Sequence, residues 1–250
     1  MNLYRNPALY DLEYENQTND VVYYVKQAHK YGGPVLELGC GNGRITLPVA
    51  RSGIEITGID LAVAMLDDFR VKTQSEPKSI QQRITLLQGD FRTVPDCGTF
   101  PLVFLPFNAL HHCQSHHDVL ELFRGVRQLL DPGGRLILDC YLPDPILYQR
   151  DPNARYAEQI FHDPITQQKI TSWEQSWYDT LEQVHHVTYV YHTDANGEQE
   201  IHLDLRMFYP QELHALIDLS GFRIVEQASD FRGSALANDS LKWIMHLQPS

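Results

Sequence analysis

Three glycines within five residues limit the fold of this chain more than any other part of its sequence. The apolar run Pro34-Val35-Leu36-Glu37-Leu38 leads into the loop Gly39-Cys40-Gly41-Asn42-Gly43, and apolar residues at helical spacing follow. Glycines between a strand and a helix permit positive φ angles and let the backbone approach a ligand closely. The loop therefore predicts a nucleotide-like ligand at the carboxyl end of the first strand of an open α/β sheet.

Strands and helices alternate from this loop to about residue 141. Helical spacing is clear at residues 62–74 and again at residues 119–130. Apolar runs predict five strands, at residues 34–38, 54–60, 84–87, 102–107 and 135–141. This alternation predicts a parallel sheet with helices on both faces.

Local signals predict where some of these elements begin and end. Asn42 is expected to cap the helix after the glycine loop, and Asp20 to cap an earlier helix. That earlier helix would bury one face made of Val21, Val22, Val25 and Ala28. Residues 131–134, Asp-Pro-Gly-Gly, predict a turn before the fifth strand.

The rhythm changes after residue 142. Aromatic and β-branched residues dominate residues 170–178, 183–193 and 200–209, and Asn196-Gly197 is a strong hairpin signal. These segments predict an antiparallel meander with one buried face. A helix from Pro210 to Leu219 and two strands, at residues 222–228 and 241–247, follow it.

These elements predict an α/β fold, with a doubly wound and mostly parallel sheet of seven strands. An antiparallel β cap is inserted after the fifth strand. The expected parts are an N-terminal helical lead-in (1–31), a ligand-binding core (32–141), the β cap (142–209) and the end of the core fold (210–250).

The charge and cysteine content narrow the classes of partner. The formal net charge is -12, and lysine and arginine form no run, so nucleic acid and anionic membranes are poor partners. No signal peptide is visible, and the apolar stretch at residues 100–107 is too short to span a bilayer. The four cysteines form no Cys-x-x-Cys pair, which is typical of buried free thiols in a reducing cytoplasm.

Two aspartates end the strands that follow the glycine loop. Asp60 comes about 20 residues after Gly39, where a carboxylate can accept hydrogen bonds from both hydroxyls of a ribose. Asp90 ends the third strand and is expected to accept from an adenine amino group, with Leu61 and Phe91 as apolar walls.

The third glycine comes one residue earlier than in the dinucleotide-binding pattern Gly-x-Gly-x-x-Gly. Arg44 stands at the position of that pattern's last glycine. An arginine there favours a ligand with a free carboxylate.

Four segments resemble the motifs of the class I S-adenosylmethionine-dependent methyltransferases. They are Glu37 to Gly43, Gly58-Ile59-Asp60, Gln88-Gly89-Asp90-Phe91 and Leu129 to Leu136, and the likeness covers residues 32–141. It implies a Rossmann-like methyltransferase fold with S-adenosyl-L-methionine as cofactor. The cofactor-binding residues it implies are Tyr14, Glu37, Gly39, Cys40, Gly41, Arg44, Asp60, Leu61, Met65, Gly89, Asp90, Phe91, Phe107 and Asn108.

Within that family the chain looks most like small-molecule enzymes with a β cap, such as sugar N,N-dimethyltransferases. An N-terminal tyrosine often closes over the cofactor in those enzymes, and Tyr10 and Tyr14 are candidates by that likeness. Residues 105–109, Leu-Pro-Phe-Asn-Ala, differ from the Asn-Pro-Pro-Tyr type of adenine and glutamine methylases. The resemblance therefore implies a small-molecule acceptor, methylated on nitrogen or oxygen.

Methyl transfer from a sulfonium is an in-line displacement that depends mainly on alignment of donor and acceptor. An amine attacks directly, whereas a hydroxyl benefits from a base, for which His111 and His112 are the candidates. Tyr141, at the end of the fifth strand, either contacts substrate or packs under the cap. His112 and His116 would share a helix face, but no carboxylate or cysteine completes a metal site, so no metal is expected.

Two other functions stay open at the level of sequence. One is a nicotinamide-dependent oxidoreductase, against which the glycine spacing argues, and the other is a non-enzymatic S-adenosylmethionine-binding protein. Exposed cap edges leave a homodimer open as well.

Overall fold

The computed structural model describes residues 3–14, 16–163, 166–195 and 197–250. Its helices are α1 (Pro7–Tyr14), α2 (Asn19–Tyr31), α3 (Thr46–Arg51), α4 (Val63–Gln74), α5 (Lys78–Gln81), α6 (His116–Leu129) and α7 (Pro210–Leu219). Its strands are β1 (Val35–Leu38), β2 (Ile56–Asp60), β3 (Ile84–Gln88), β4 (Phe100–Leu105), β5 (Leu130–Tyr141), β6 (Tyr156–His162), β7 (Lys169–Asp179), β8 (Val184–Thr193), β9 (Gly197–Arg206), β10 (Phe222–Ala228) and β11 (Lys242–Pro249).

Seven of these strands form one sheet, in the order β10-β11-β5-β4-β1-β2-β3. Strands β1 to β5 are parallel, and β11 is antiparallel to both of its neighbours. All four residues of β1 are buried, as expected for a central strand covered by helices on both faces. The predicted doubly wound sheet is confirmed, and its parallel strands end at one shared edge.

The other four strands form an antiparallel sheet in the order β6-β7-β8-β9, which confirms the β cap after the fifth strand. Strand β6 was not predicted, because most of its side chains are exposed and it carries no apolar alternation. The partners Thr193 and Gly197 close the hairpin between β8 and β9. The predicted turn residue Asn196 lies outside the described residues.

The N-terminal segment lies between the cap and the core. Leu3 and Leu9 form a buried apolar cluster with Tyr191 and Ile201 of the cap and with Met65 of α4. Burial of these side chains removes apolar surface from water and holds the segment over the sheet edge. Any ligand at the carboxyl ends of the strands therefore lies beneath this segment.

Both predicted helix caps are wrong. Helix α3 begins at Thr46, after the glycine loop, and the buried Asn42 amide instead donates to Asp11 (2.8 Å) and Asp68 (3.2 Å). Helix α2 begins at Asn19, so Asp20 lies within its first turn. A cap prediction rests on local spacing, and here tertiary contacts use the same side chains.

The buried face of α2 also differs from the prediction. Tyr24 and Ala28 are fully buried, whereas Val22, which was predicted on that face, is 52% exposed. The Tyr24 ring packs edge-on against Phe104 at 4.8 Å between centroids, which turns this side of the helix toward the sheet. An aromatic ring buries more area than a valine, so it decides which face packs.

The predicted turn at residues 131–134 is a bulge at the start of β5. Phe100 of β4 is paired with Leu130, but Leu102 is paired with Arg135. One residue of β4 therefore lies opposite the four residues 131–134 of β5, which bulge out of the ladder. Gly133 has a φ of +84°, which suits the sharp local bend.

Candidate active site

A cavity of about 770 Å³ opens at the carboxyl ends of β1, β2, β3 and β4. Its volume lies within the range of sites for cofactors and small molecules. Its lining includes nine of the predicted site residues, Gly39, Gly41, Asp60, Leu61, Met65, Asp90, Phe91, Phe107 and His112. Strands that are far apart in sequence therefore bring their terminal residues to one cavity.

The glycine loop follows β1 with three left-handed residues. Gly39, Gly41 and Gly43 have φ angles of +75°, +54° and +91°. A Cβ at Gly41 would meet no atom within 4 Å, whereas one at Gly43 would lie 2.4 Å from the Phe69 ring. Gly41 thus leaves room beside the cavity, and Gly43 allows the loop to pack on α4.

Asp60 connects the glycine loop to the next strand. Its Oδ2 accepts a hydrogen bond from the Gly41 N–H at 2.7 Å, and its Oδ1 accepts from the Ala62 N–H at 2.8 Å. Burial raises the pKa of this carboxyl, and the backbone donors oppose that shift. A carboxylate has about four acceptor sites, so Asp60 keeps capacity for a ligand hydroxyl.

Asp90 is paired within its own segment. Its Oδ2 lies 2.6 Å from Nη2 of Arg92, and this hydrogen bond lowers the pKa of the carboxyl. Its Oδ1 accepts from the Arg92 N–H and so caps the 3₁₀ turn Phe91–Thr93. Arg92 also lines the cavity and was not predicted, since no motif contains it.

Arg44 does not line the cavity, contrary to the prediction of direct ligand contact. Its two terminal nitrogens bind the two oxygens of Asp20 at 2.5 and 3.0 Å, and Nη1 also donates to the Gln17 carbonyl. The guanidinium lies over the Phe107 ring, 4.2 Å from its centroid. Its charge is matched inside the protein, so it supports Phe107.

Three further residues that were predicted to contact the cofactor lie behind the wall of the cavity. Glu37 is buried and accepts from the Thr46 hydroxyl, and burial raises its pKa to about 8. A Cβ at Gly58 would lie 2.8 Å from Sγ of Cys40, so the buried thiol packs against β2. Gly89 donates its N–H to the Asp60 carbonyl at 3.0 Å. Glu37, Cys40 and Gly89 thus support the cavity wall without lining it.

His111 is fully buried and is unsuited to the predicted role of base. Its Nδ1 donates to the Arg206 carbonyl at 2.7 Å, and its Nε2 accepts from the Tyr141 N–H at 3.0 Å. Burial lowers the pKa of the imidazole to about 4, so the ring is neutral at neutral pH. Both nitrogens are committed to backbone groups, and the ring connects the end of β9 to the end of β5.

The neutral His111 predicts loss of stability in acid. An unfolded histidine titrates near pH 6.5, so below that pH the unfolded chain binds the proton that the folded site refuses. The free energy of unfolding is therefore expected to fall as the pH drops from about 6.5 toward about 4. Above about pH 6.5 the ring is neutral in both states, and its titration costs no stability. His111→Gln should lose about 2 kcal/mol at pH 7 and show a shallower pH slope.

Urea unfolding at several pH values measures both effects. His117→Gln is the matched control, because the side chain of His117 is 68% exposed. An unchanged pH slope in His111→Gln would show that the His111 ring does not stay neutral in the folded protein.

His112 lines the cavity, unlike its neighbour. Its Nε2 lies 2.8 Å from the hydroxyl of Tyr4, and burial lowers its pKa to about 4. Tyr4 belongs to the 3₁₀ turn Leu3–Arg5 and lines the same cavity. The sequence carried no signal for Tyr4, because this contact joins residues 108 positions apart.

The N-terminal tyrosines cover Phe107. Tyr14 lies 4.9 Å from the Phe107 ring and 4.8 Å from the Tyr10 ring, between centroids. Tyr10 lines the cavity and Tyr14 stands behind it. Phe107 and Asn108 both have left-handed φ angles, 55° and 59°, a conformation that non-glycine residues adopt at a cost.

Asn108 and Tyr141 lie outside the large cavity. They line a smaller chamber of about 230 Å³ that also includes Phe107, Asp139 and Lys242. Tyr141 is 45% exposed. Phe107 lines both spaces, so the two adjoin at this residue.

No group of three or more potential metal ligands occurs among the described residues. Within the same ranges, no helix combines the length and the apolar character needed to cross a membrane.

Residues 35–134 match the family described as "Methyltransferase domain". The chain is 26% identical over 228 residues to YqeM of Bacillus subtilis (strain 168), a provisionally named methyltransferase, with 87% of this chain and 85% of that protein covered.

Two solved structures share the fold. The CcbJ methyltransferase from Streptomyces caelestis has a TM-score of 0.79 at 24% identity, over 94% of this chain and 98% of its own. CalS10, an amino pentose methyltransferase from Micromonospora echinaspora solved with bound S-adenosylmethionine, has a TM-score of 0.65 at 19% identity, over 92% and 90%.

A glycine loop above a central parallel strand, in a sheet with this strand order, is the arrangement with which an open α/β fold binds a nucleotide-like ligand at the carboxyl ends of its strands. The chain is a class I S-adenosylmethionine-dependent methyltransferase, and S-adenosylmethionine is its cofactor. The oxidoreductase and the non-enzymatic binding protein receive no support from these relatives.

The cavity fits that cofactor. An adenosyl group suits this lining. Gly41 has a side free of protein atoms, Asp60 has spare acceptor capacity, and Met65 and Phe91 present apolar surfaces.

Proposed function

We propose that this enzyme transfers the methyl group to a nitrogen or oxygen atom of a small molecule. The observation that carries the proposal is the cavity of about 770 Å³, which the N-terminal segment lines with Tyr4 and Tyr10. The cap packs on that same segment. Enclosure of this kind favours an acceptor of modest size and excludes water from the reaction. The net charge of -12 makes a polyanionic acceptor unfavourable.

The relatives support the same class of acceptor. CalS10 is named for an amino pentose, and the structure of a related fold, MtfA, is described as a glycopeptide N-methyltransferase. An acceptor of comparable size and polarity suits a site that combines tyrosines with a few charged groups.

The cofactor supplies an activated methyl group on a sulfonium. We assign Asp60 to the ribose hydroxyls, Asp90 to the adenine amino group and the Gly39–Gly41 backbone to the amino-acid portion. Leu61, Met65 and Phe91 provide the apolar walls around the base. Asp60 and Asp90 then lie on the adenosyl side, where a carboxylate does not favour the sulfonium ground state over the transition state.

At the acceptor end, we assign the role of base to His112. It borders the cavity and is neutral at neutral pH, because burial lowers its pKa to about 4. An amine acceptor attacks without help, whereas a hydroxyl acceptor would lose its proton to His112. Tyr141 is proposed to contact substrate from the smaller chamber.

Replacement of His112 distinguishes these two kinds of acceptor. With a hydroxyl acceptor, His112→Gln is expected to lower kcat by about 100-fold, because a positioned base is lost. With an amine acceptor, kcat should change little. Initial rates of S-adenosylhomocysteine release measure the effect, and the exposed His116→Gln is the control.

The function itself is tested by calorimetry and by turnover. S-adenosylmethionine and S-adenosylhomocysteine should bind the folded protein, and a panel of amino sugars and phenols should include a methyl acceptor. Transfer to an oligonucleotide but to no small molecule would contradict the acceptor class.

A further inference from the structure

The smaller chamber lies at the other side of Phe107 from the cofactor cavity. Its lining includes Phe107 and Asn108, which follow β4, and Lys242, the first residue of β11. Asp139 and Tyr141, at the end of β5, line it as well. The cofactor assignments above leave this volume of about 230 Å³ unused. It is wide enough for one small polar group, since a single water occupies about 30 Å³ of liquid.

Lys242 is the charged group of the chamber. Its Nζ lies 2.7 Å from Oδ2 of Asp139, which is fully buried, and 3.0 Å from Oδ1 of Asn108. The ammonium also lies 4.8 Å from the ring centroid of Tyr141. Burial opposes its charge, but the attraction of Asp139 outweighs that effect and raises the pKa of Lys242.

Lys242 retains hydrogen-bonding capacity. An ammonium has three N–H donors, and Asn108 and Asp139 occupy two of them. The side chain is 23% exposed, at the wall of the chamber. The third donor is therefore available to a bound molecule.

Asn108 presents a second donor. Its carbonyl oxygen must face Lys242, because an ammonium only donates, and this orients the amide nitrogen away from that contact. Among the described residues, the Asn108 amide protons have no acceptor, although the residue is only 7% exposed. An amide that lines a cavity and has no acceptor within the protein gains from a ligand that accepts its hydrogen bonds.

Both side-chain oxygens of Asp139 already accept hydrogen bonds from other groups of the protein. Its Oδ1 accepts from the Tyr24 hydroxyl at 2.7 Å and from the Phe107 N–H at 2.8 Å, while Oδ2 accepts from Lys242. Asp20, the other carboxylate of the chamber, is paired with Arg44. Both carboxylates of the chamber are therefore paired, and Lys242 and Asn108 keep donors for a bound molecule.

We propose that this chamber binds an oxygen-bearing group of the methyl acceptor, such as a carboxylate, a carbonyl or an ionised hydroxyl, through Lys242 and Asn108. The proposal rests on the small-molecule function proposed above and narrows its substrate class. Lys242 and Asn108 then orient the acceptor from one side of Phe107 while the cofactor occupies the other side.

The test uses acetate and methylammonium as probes on the protein saturated with S-adenosylhomocysteine. The side-chain amide signals of Asn108, assigned with the variant Asn108→Asp, report on the chamber in ¹⁵N NMR spectra. Acetate is expected to shift these signals in a saturable way, and methylammonium is expected to leave them in place. A shift with methylammonium alone, or with neither probe, overturns the proposal.

A double variant tests the contribution of Lys242. Lys242→Met with Asp139→Asn removes both charges together, so no buried carboxylate is left unpaired. Acetate should bind this variant about tenfold more weakly, the effect of losing one charged hydrogen bond. The control is Lys30→Met, since Lys30 forms an exposed ion pair with Glu226.

Two further outcomes are decisive. Equal acetate affinity in the double variant and wild type contradicts the assignment, as does an equal loss of S-adenosylhomocysteine affinity, which would place the cofactor's own carboxylate in the chamber. Failure of the proposed function is seen separately, as absence of methyl transfer to any small molecule in the panel. The wild-type titration decides the proposal even where the double variant is unfolded.

Discussion

Asp60→Ala is expected to weaken S-adenosylmethionine binding by about 100-fold, the equivalent of about 2.7 kcal/mol. The carboxylate holds the Gly41 N–H and the Ala62 N–H, at 2.7 and 2.8 Å. Its loss leaves two backbone donors without their acceptor and also removes the proposed contacts with the ribose. Each hydrogen bond to a charged group contributes about 1.5–3 kcal/mol, so the combined effect is large.

Calorimetric titration with S-adenosylhomocysteine measures this loss, and thermal unfolding verifies that the variant is folded. Asp60→Asn retains one acceptor oxygen and should have an intermediate affinity. Asp67→Asn is the control, because Asp67 borders the same cavity but forms an exposed ion pair with Arg70. Wild-type affinity in Asp60→Ala would remove Asp60 from the cofactor site.

The second large effect is a loss of stability that distinguishes Gly43 from Gly41, two glycines of the same loop. Gly43→Ala is expected to destabilise the protein by about 3 kcal/mol or more, since it combines overpacking with a left-handed φ. Its Cβ would lie 2.4 Å from the ring of Phe69, which is fully buried, at a φ of +91°. Neither the ring nor the loop has space to move away in a packed core.

Gly41→Ala should fold normally but bind S-adenosylmethionine poorly. Its Cβ would meet no protein atom within 4 Å, so the cost to stability is about 1 kcal/mol of backbone strain at a φ of +54°. The added methyl group stands where the backbone is proposed to approach the cofactor. Urea unfolding and calorimetry on the two variants measure the contrast, and equal stability of both would contradict the packing argument.

The motif-bearing half of the core was predictable because its signals are local. A strand followed by a glycine loop, with an aspartate at the end of the next strand, needs no knowledge of distant contacts. Parallel strands end at one edge, so Gly41, Asp60 and Asp90 were expected together, and all three line the cavity. The helix Pro210–Leu219 was predicted for the same reason, from a starting proline and a glycine after its end.

Charged and polar side chains were less predictable. Arg44 was expected to bind a ligand carboxylate, but it forms an ion pair with Asp20, which balances its charge. His111 was a candidate base, but the Arg206 carbonyl and the Tyr141 N–H occupy its ring. Each of these partners lies many positions away along the chain, so residue spacing does not reveal it.

By itself, the sequence determined the class of fold and the edge of the sheet at which the large cavity opens, because periodicity and glycine spacing act over a few residues. Only the tertiary structure decided which polar groups face the cavity and which are consumed in internal pairs. It also brought Tyr4 and Lys242 to the site from opposite ends of the chain. Hydrogen bonds and ion pairs depend on atomic separations of about 3 Å, and these arise only when distant segments pack together.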